Sequence, residues 1–539
     1  MLFIYSAEVM FRDGCKYTVI YESRVRMVKT LRVLRKFFVN GIIMTATSLL
    51  LRMIGVAFGA FISDKLGTDG MGLYTLIMSV YGLAVTAASS GVNLAATRMC
   101  AEAIGREDAP SLRATLRRCL TYAIGCGTLA GLLLFFGADL VADVWLGDAR
   151  CKRALCLLAI SLPFIAASNV FHGYFTAVRR VAKSAATQIF EQLFKILVTV
   201  WALLSIVPDD LEWACIALVG GGALAEVASF LMAFILYLAD RRRWKRGTVT
   251  KAAGRALTRE LFGITIPVAS AAIVRSSLTT LEHMLIPRGL RANPATAETA
   301  LASYGVMCGM VMPVVLFPTA LLYSFTGLLV PEFAESDARG DKGRIGRMIT
   351  RAMGMTMLFS LGCAGLMTVY AEELGMFIYQ NADAGRLIRV MAPLIPVMYL
   401  DHAVDAMLKG LGEQLYTMKV NILDAAMCAF FVWILCPRMG IYGYIVTIYL
   451  SEMVNASLSL HRLAKVTEFS ASVGKMLVRP LVAVIGAAAM TKLCGLAECG
   501  GWAQLILGLI CSVGVYLLLL MLLGVIKPGE LRRAVGVMR

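Results

Sequence analysis

What most limits the fold of this chain is the length of its apolar runs. A helix that crosses a hydrocarbon layer of about 30 Å needs about 20 mostly apolar residues. Fourteen such runs can be read along the 539 residues, at approximately 40–63, 72–98, 116–137, 154–178, 184–207, 212–239, 261–286, 300–330, 352–371, 387–408, 416–436, 440–461, 477–494 and 502–526. A closed β-barrel also satisfies backbone groups in lipid. Its strands alternate apolar and polar residues, and a run such as Ile506 to Val525 does not. The expectation is an all-α integral membrane protein with fourteen transmembrane helices. Composition agrees, with 59% hydrophobic and 16% charged residues against about 45–50% and about 25% in soluble domains. Soluble cores stop growing at roughly 250–300 residues, so the apolar excess faces lipid. A soluble enzyme, a disordered scaffold and a nucleic-acid-binding domain are set aside.

The net charge of +17 is a topology signal. If the N-terminus is placed in the cytoplasm, and Arg117, Arg118, Lys419 and Arg479 near the ends of runs are counted with the inner segments, those segments hold 38 Lys and Arg, the outer loops hold 8, and the other six are left within the runs. The bias of basic residues toward the cytoplasmic side then puts both termini there, in a multi-pass protein of the plasma membrane. The basic surplus offers a contact to anionic lipid and does not imply nucleic acid. Residues 1–39 read as a cytoplasmic tail, with Met27 an alternative start. Of the fourteen cysteines, most sit inside apolar runs and none forms a CxxC pair, so small packing residues are expected and neither a metal site nor a redox motif. Cys494 and Cys499 flank a short loop, and a pairing between them stays open.

The chain repeats itself. Residues 101–118 match 334–351 at an offset of 233, with Ala101, Glu102 and Arg118 falling on Ala334, Glu335 and Arg351. The same offset carries 177–189 onto 410–422. Six runs separate the copies, so both halves enter the membrane from the same side. Parallel repeats of this kind are related by an axis along the membrane normal and hold a transporter's substrate between them. The expected organisation is an N-lobe over 40–240, a basic cytoplasmic linker over 241–260, a C-lobe over 261–465, and two further helices with a cytoplasmic tail over 466–539. Pro163, Pro267, Pro313, Pro318, Pro393, Pro396 and Pro480 lie within or beside the runs. They are candidate hinges, and equally static kinks.

A charge at the bilayer centre costs at least about 2.5–3.5 kcal/mol and usually faces a cavity or a partner. Arg52 is midway along the first run and Arg275 midway along the seventh, the first helix of the second lobe. Both are expected to look into one cleft, with pairing to a buried acid such as Glu226 as the alternative. Arg98, at the inner end of the second run, also suits snorkelling. Lys195 follows Glu191 by four residues, which favours an intrahelical ion pair. An arginine-lined wet cleft suits an anionic substrate, because guanidinium grips phosphate bidentately and keeps its proton. The acids gather elsewhere. Asp401 and Asp405 lie one turn apart beside His402 in the tenth run, with Asp424 in the eleventh, Glu452 in the twelfth and Glu282 near the outer end of the seventh. They are either a proton or cation coupling site or a polar packing network with Asn421 and Asn455. With only four histidines and no HExxH, GxSxG or GxxxxGK[ST], no chemical step, cofactor or direct ATP use is expected.

Three segments carry a resemblance: LRMIGVAFGAFISDKLGTDGMGLYTLIMSVY (51–81), FHGYFTAVRRVAKSAATQIFEQLFKI (171–196) and YLDHAVDAMLKGLGEQ (399–414). The chain resembles the polysaccharide-biosynthesis flippases, in the branch of the stage V sporulation protein B type, within the superfamily of lipid II flippases and multidrug exporters. The carrying patterns are Leu66, Gly67, Gly70, Gly72 and Tyr74, then Gly173, Tyr174, Phe175, Gln188, Glu191 and Gln192. The resemblance implies two six-helix lobes plus two helices, and an alternating-access carrier of an undecaprenyl-diphosphate-linked sugar. It implies that Arg52, and by position Arg275, hold the diphosphate; Arg98 and Lys195, from their places in the runs, are further candidate cavity cations. Phe58 stands where the pattern has a second arginine, and His172 where it has an arginine before Gly-Tyr-Phe. The expected function is therefore a flippase for a peptidoglycan or polysaccharide precursor, serving sporulation cell-wall synthesis. Its partners would be that lipid-linked sugar, membrane lipid and cell-wall enzymes, around a monomer. A cation-coupled multidrug exporter is the alternative, with Glu191 and Glu226 as its deep N-lobe acids. A non-transporting scaffold is disfavoured by the buried charges.

Overall fold

The computed structural model describes the backbone of residues 2–106, 108–205, 211–241, 251–294, 299–467, 477–495 and 501–525, and most side chains from residue 46 onward. Among these residues there is helix and no strand. Helix α1 (Leu2–Ser89) carries the first apolar run and most of the second, and is helical through the segment read as a tail. It bends at Gly67, where φ is 67° and ψ is −175°, a region that only glycine enters without strain. Then come α2 (Val92–Gly105), α3 (Ala109–Leu140) with a π-helical end (Val141–Leu146), α4 (Cys151–Ala177), α5 (Val181–Ser205) and α6 (Leu211–Arg241). The second half has α7 (Lys251–Ala292), α8 (Ala300–Tyr304), a π-turn (Gly305–Val311), α9 (Met312–Leu316), α10 (Thr319–Ala338) and α11 (Lys342–Val369). It continues through α12 (Ala371–Tyr379), α13 (Ala382–Met391), α14 (Ile395–Gly410), α15 (Gln414–Met439) and α16 (Ile441–Thr467). The last two helices are α17 (Arg479–Leu493) and α18 (Trp502–Leu522).

Every expected run is helical where it is described, apart from short turns at residues 90–91 and 317–318 and at some run ends. Ten stretches among the described residues are long and apolar enough to cross a membrane, and the first, Ala46–Gly105, holds two runs joined at Gly67. The runs at 300–330, 440–461 and 477–494 fall outside those ten, so the count of fourteen crossings rests on the sequence. The chain is an all-α, multi-pass membrane protein. Most of the basic linker (242–250), the segment 468–476, the tail beyond 525 and Cys499 lie outside the described residues.

The repeat is visible in backbone detail. Asp108 caps α3 by accepting from the Ser111 N–H, and Asp341 caps α11 by accepting from the Arg344 N–H, each at 2.9 Å; both residues of the second pair stand 233 positions after those of the first. At the same offset Gly147 and Gln380 are both left-handed, with φ of 67° and 52°, and so are Arg179 and Gly412, at 58° and 79°. Pro163 in α4 answers Pro396 in α14. These two helices are the centres of their lobes: α4 packs on α3 and α6, and α14 on α10, α11 and α16. Each lobe also clasps the turn after its central helix. Arg180 and Lys183 hold the buried Asp240 at the end of α6, Lys183 at 2.7 Å. In the other lobe Arg462 of α16 donates to both Glu413 oxygens at 2.8 Å. Arg180 and Glu413 are 233 apart, so the clasp has opposite polarity in the two lobes.

The lobes meet along the second arm of α1. A Cβ at Gly72 would lie 2.2 Å from the Leu301 carbonyl oxygen, and one at Gly305 would lie 2.3 Å from that of Thr68. Gly72 and Gly305 are themselves counterparts in the repeat. Backbone meets backbone there because neither side carries a side chain. Thr280 of α7 donates to the Ser79 carbonyl at 3.1 Å, extending the contact. The last two helices pack on α11, where Tyr516 donates to the Leu358 carbonyl at 2.9 Å. Between α11, α17 and α18 lies an apolar cavity of about 570 Å³, with Arg351 among its lining residues.

Candidate functional site

Proline at 318 has no N–H to offer the preceding turn, and the helix stops at Leu316 and restarts at Thr319. Phe317 closes a tighter turn by donating to the Val314 carbonyl at 3.1 Å. The carbonyls at the end of a helix lack the partners that a continuing helix supplies, and here side chains take them. Tyr399 of α14 donates to the Val315 carbonyl at 2.9 Å. Arg52 of α1 donates to the Leu316 carbonyl and, at 2.5 Å, to the Thr319 hydroxyl. Thr319 in turn donates to the Leu316 carbonyl at 2.6 Å. The first-lobe arginine is therefore seated on a broken helix of the second lobe.

Arg275 lies midway along α7 with an exposed side chain. No salt bridge joins it to a carboxylate among the described residues, although Asp424 is within its electrostatic reach. His402 on α14 lies within the reach of Arg275 and Arg52 together, and also of Asp405 and Lys409. One imidazole thus lies within the electrostatic reach of both central arginines. They are not symmetry mates: at the repeat offset Arg52 falls on Leu285, ten positions beyond Arg275, or about 15 Å along a helix.

Lys195, Glu191 and Glu226 form a separate cluster inside the N-lobe. Together with Tyr74 and Tyr81 they line a small cavity of about 90 Å³. The Lys195 ammonium reaches the Tyr74 hydroxyl and lies near both glutamates, and it sits over the Phe58 ring at 5.9 Å. Glu191 accepts from Ser229 at 2.8 Å. The direct ion pair expected between Lys195 and Glu191 does not form as a salt bridge, because Ser229 and Tyr74 on neighbouring helices compete for the two ends. Glu226 belongs to this cluster rather than to Arg52. Arg98 is exposed and pairs with Glu102 at 3.2 Å, away from both groups.

The C-lobe acids are held singly. Asp401 is buried and accepts from Asn455 at 3.1 Å. Asp405 meets Asn421 at 3.4 Å and Lys409 at 3.5 Å. Asp424 accepts from Ser451, and Glu452 lies within electrostatic reach of Asp401 and Asp424. Glu282 is also near Asp424. No three His, Cys, Asp or Glu groups converge on a single point fit for a metal ion among the described residues. The sequence had no signal for Thr319, Tyr399 or Ser229 beyond Pro318, which marks the break that recruits the first two.

Known proteins share this architecture. An inward-facing multidrug resistance MATE family transporter of the MOP superfamily superposes with a TM-score of 0.63 at 12% identity, covering 80% of this chain and all of that one. The lipid II flippase MurJ in its inward closed conformation gives 0.61 at 11% identity, over 89% and 98%. In sequence, stage V sporulation protein B of Bacillus subtilis (strain 168) is 23% identical over 93% of this chain and 98% of its own length. Sporulation protein YkvU of the same organism is 18% identical over 70% and 83%. The polysaccharide biosynthesis protein family matches residues 34–337. With more than half of its length matched, the chain belongs to the polysaccharide biosynthesis protein family.

Proposed function

We propose that the protein is an alternating-access flippase that moves an undecaprenyl-diphosphate-linked peptidoglycan or polysaccharide precursor from the inner to the outer leaflet of the plasma membrane, without a chemical step. The observation that carries this reading is the pair of central arginines on opposite lobes, Arg52 and Arg275, which both act on His402. Two permanent cations facing one space suit a diphosphate, whose oxygens form charge-assisted bonds with guanidinium. The apolar cavity at α11, α17 and α18 has the character to take part of a lipid chain. Similarity to stage V sporulation protein B supports a precursor used in sporulation. With the cell interior negative, outward movement of an anionic head runs with the field, at about 2.3 kcal/mol per charge per 100 mV.

Reconstitution with fluorescent lipid-linked precursors tests the reading. Arg52→Ala or Arg275→Ala should slow headgroup translocation by about tenfold to a hundredfold, the value of a hydrogen bond to a charged group, while membrane insertion is unchanged. Wild-type rates in both variants would overturn the anion grip. The small polar cavity with Glu191 and Glu226 favours a second reading, a cation-coupled multidrug exporter, and ethidium efflux from a pump-deficient host would support it.

A further inference from the structure

The seat of Arg52 has a consequence for regulation, which rests on the diphosphate reading above. In the ligand-free protein the guanidinium is engaged with the Leu316 carbonyl and the Thr319 hydroxyl, both at the break in the second lobe's helix. The same donors are the ones a diphosphate would need. We propose that a bound diphosphate takes Arg52 off the Leu316 carbonyl, and that this exchange unlatches α1 from the α9–α10 break, so that the lobes separate only when cargo is present.

The exchange is favourable in direction because a phosphate carries charge and accepts from guanidinium bidentately, which the neutral Leu316 carbonyl does not. It leaves no carbonyl stranded. Thr319 already donates to Leu316 at 2.6 Å, and Tyr399 keeps the Val315 carbonyl at 2.9 Å, so the break stays satisfied when Arg52 departs. Arginine has five N–H donors, which allows it to engage the ligand with one edge before the other lets go. A ligand shifts a conformational equilibrium only by its differential affinity for the two states. The latch supplies that difference, because the closed state charges the ligand the loss of the Arg52 seat and the open state does not. Thr319 and Tyr399 are positioning residues in this scheme.

The test compares Thr319→Val, Pro318→Ala and wild type in nanodiscs, using undecaprenyl diphosphate as the probe and undecaprenol as its uncharged control. Two readouts are taken: probe affinity, and the distance between spectroscopic labels introduced at Met53 and Leu321, both exposed. In wild type the diphosphate, and not the alcohol, should lengthen the distance. Pro318→Ala restores an N–H and lets the helix run on, so that backbone donors compete with Arg52 for the Leu316 carbonyl while Arg52 and Thr319 stay in place. It should bind diphosphate about tenfold tighter, the equivalent of about 1.4 kcal/mol, and show the lengthened distance without ligand. Thr319→Val removes the hydroxyl that accepts from Arg52 and also the donor that covers the Leu316 carbonyl when Arg52 departs, so its gain in affinity should be smaller than that of Pro318→Ala. If wild type binds no diphosphate, the functional reading itself fails. If wild type binds it but Pro318→Ala binds no tighter and the distance ignores the ligand, the latch alone is refuted. Tighter binding in Thr319→Val than in Pro318→Ala would overturn the exchange at the Leu316 carbonyl.

Discussion

A methyl group has no room at Gly72, where the neighbour within 2.2 Å is the Leu301 backbone carbonyl, whereas at Gly55, in the same helix, nothing lies within 4 Å. The two positions therefore answer the same substitution with opposite signs. Gly55→Ala removes the entropic penalty of a helical glycine, about 0.8–1 kcal/mol, and should raise the thermal midpoint in detergent. Gly72→Ala forces backbone apart and should cost about 1–3 kcal/mol, lowering it. A lowered midpoint in both would mean that Gly55 has a packing role that its surroundings do not reveal. The residue scale is also where sequence reasoning was least complete. Arg52 and Arg275 stood out because each sits midway along an apolar run, Arg52 with no other charge within ten residues, and a central cation in lipid needs an explanation. The partners of Arg52 were hidden because they are a carbonyl and a hydroxyl more than 260 positions away, groups that every chain has in abundance. For Lys195 the local i,i+4 rule named Glu191, and tertiary neighbours, Tyr74 and Ser229, prevailed.

At the scale of elements, repetition made the hairpins legible. The match of 177–189 to 410–422 marked the turns after the two central helices, and in the structure both turns are left-handed at corresponding positions, Arg179 and Gly412. What the match concealed was the reversal of charge between the clasps. Arg180 faces Asp240, while its counterpart Glu413 faces Arg462, and the partners lie on helices whose own alignment is too weak to read. The reversal makes a direct test. Arg180→Glu sets a second carboxylate beside Asp240 and should cost about 1–2 kcal/mol, a value between those of exposed and buried pairs. Adding Asp240→Arg rebuilds the clasp in the polarity of the other lobe and should recover most of the loss in the thermal midpoint. A double variant no more stable than the single one would show that Lys183, which also holds Asp240 at 2.7 Å, dominates the contact. The break at Pro318 is the element-scale feature with the largest reach. Proline is plain in the sequence, but whether it makes a kink, a hinge or a docking point depends on which side chains arrive at the freed carbonyls.

For the whole molecule, hydrophobicity and charge asymmetry carried most of the fold. Long apolar runs had to be helices in lipid, and the 38-to-8 division of basic residues predicts a strictly alternating threading with both ends inside. An alkaline phosphatase reporter fused after Met439 should be active, one fused after Lys342 inactive, and a fluorescent protein at the C-terminus should mature; activity after Lys342 would invert the orientation. Two facts were out of reach of that arithmetic. Gly67 joins two runs with a single bend where a loop was expected, and within the apolar contact between the lobes a pair of glycines lets backbone meet backbone. Those glycines, Gly72 and Gly305, are each other's duplicate. A patch that fits its own copy is the mark of a two-fold pairing, so a half-length ancestor that dimerised would already have owned this joint, and gene duplication with fusion had only to tie the ends. Severing the polypeptide somewhere between residues 242 and 250 leaves each fragment with one half of that handshake, and co-expressed fragments should reassemble and co-purify.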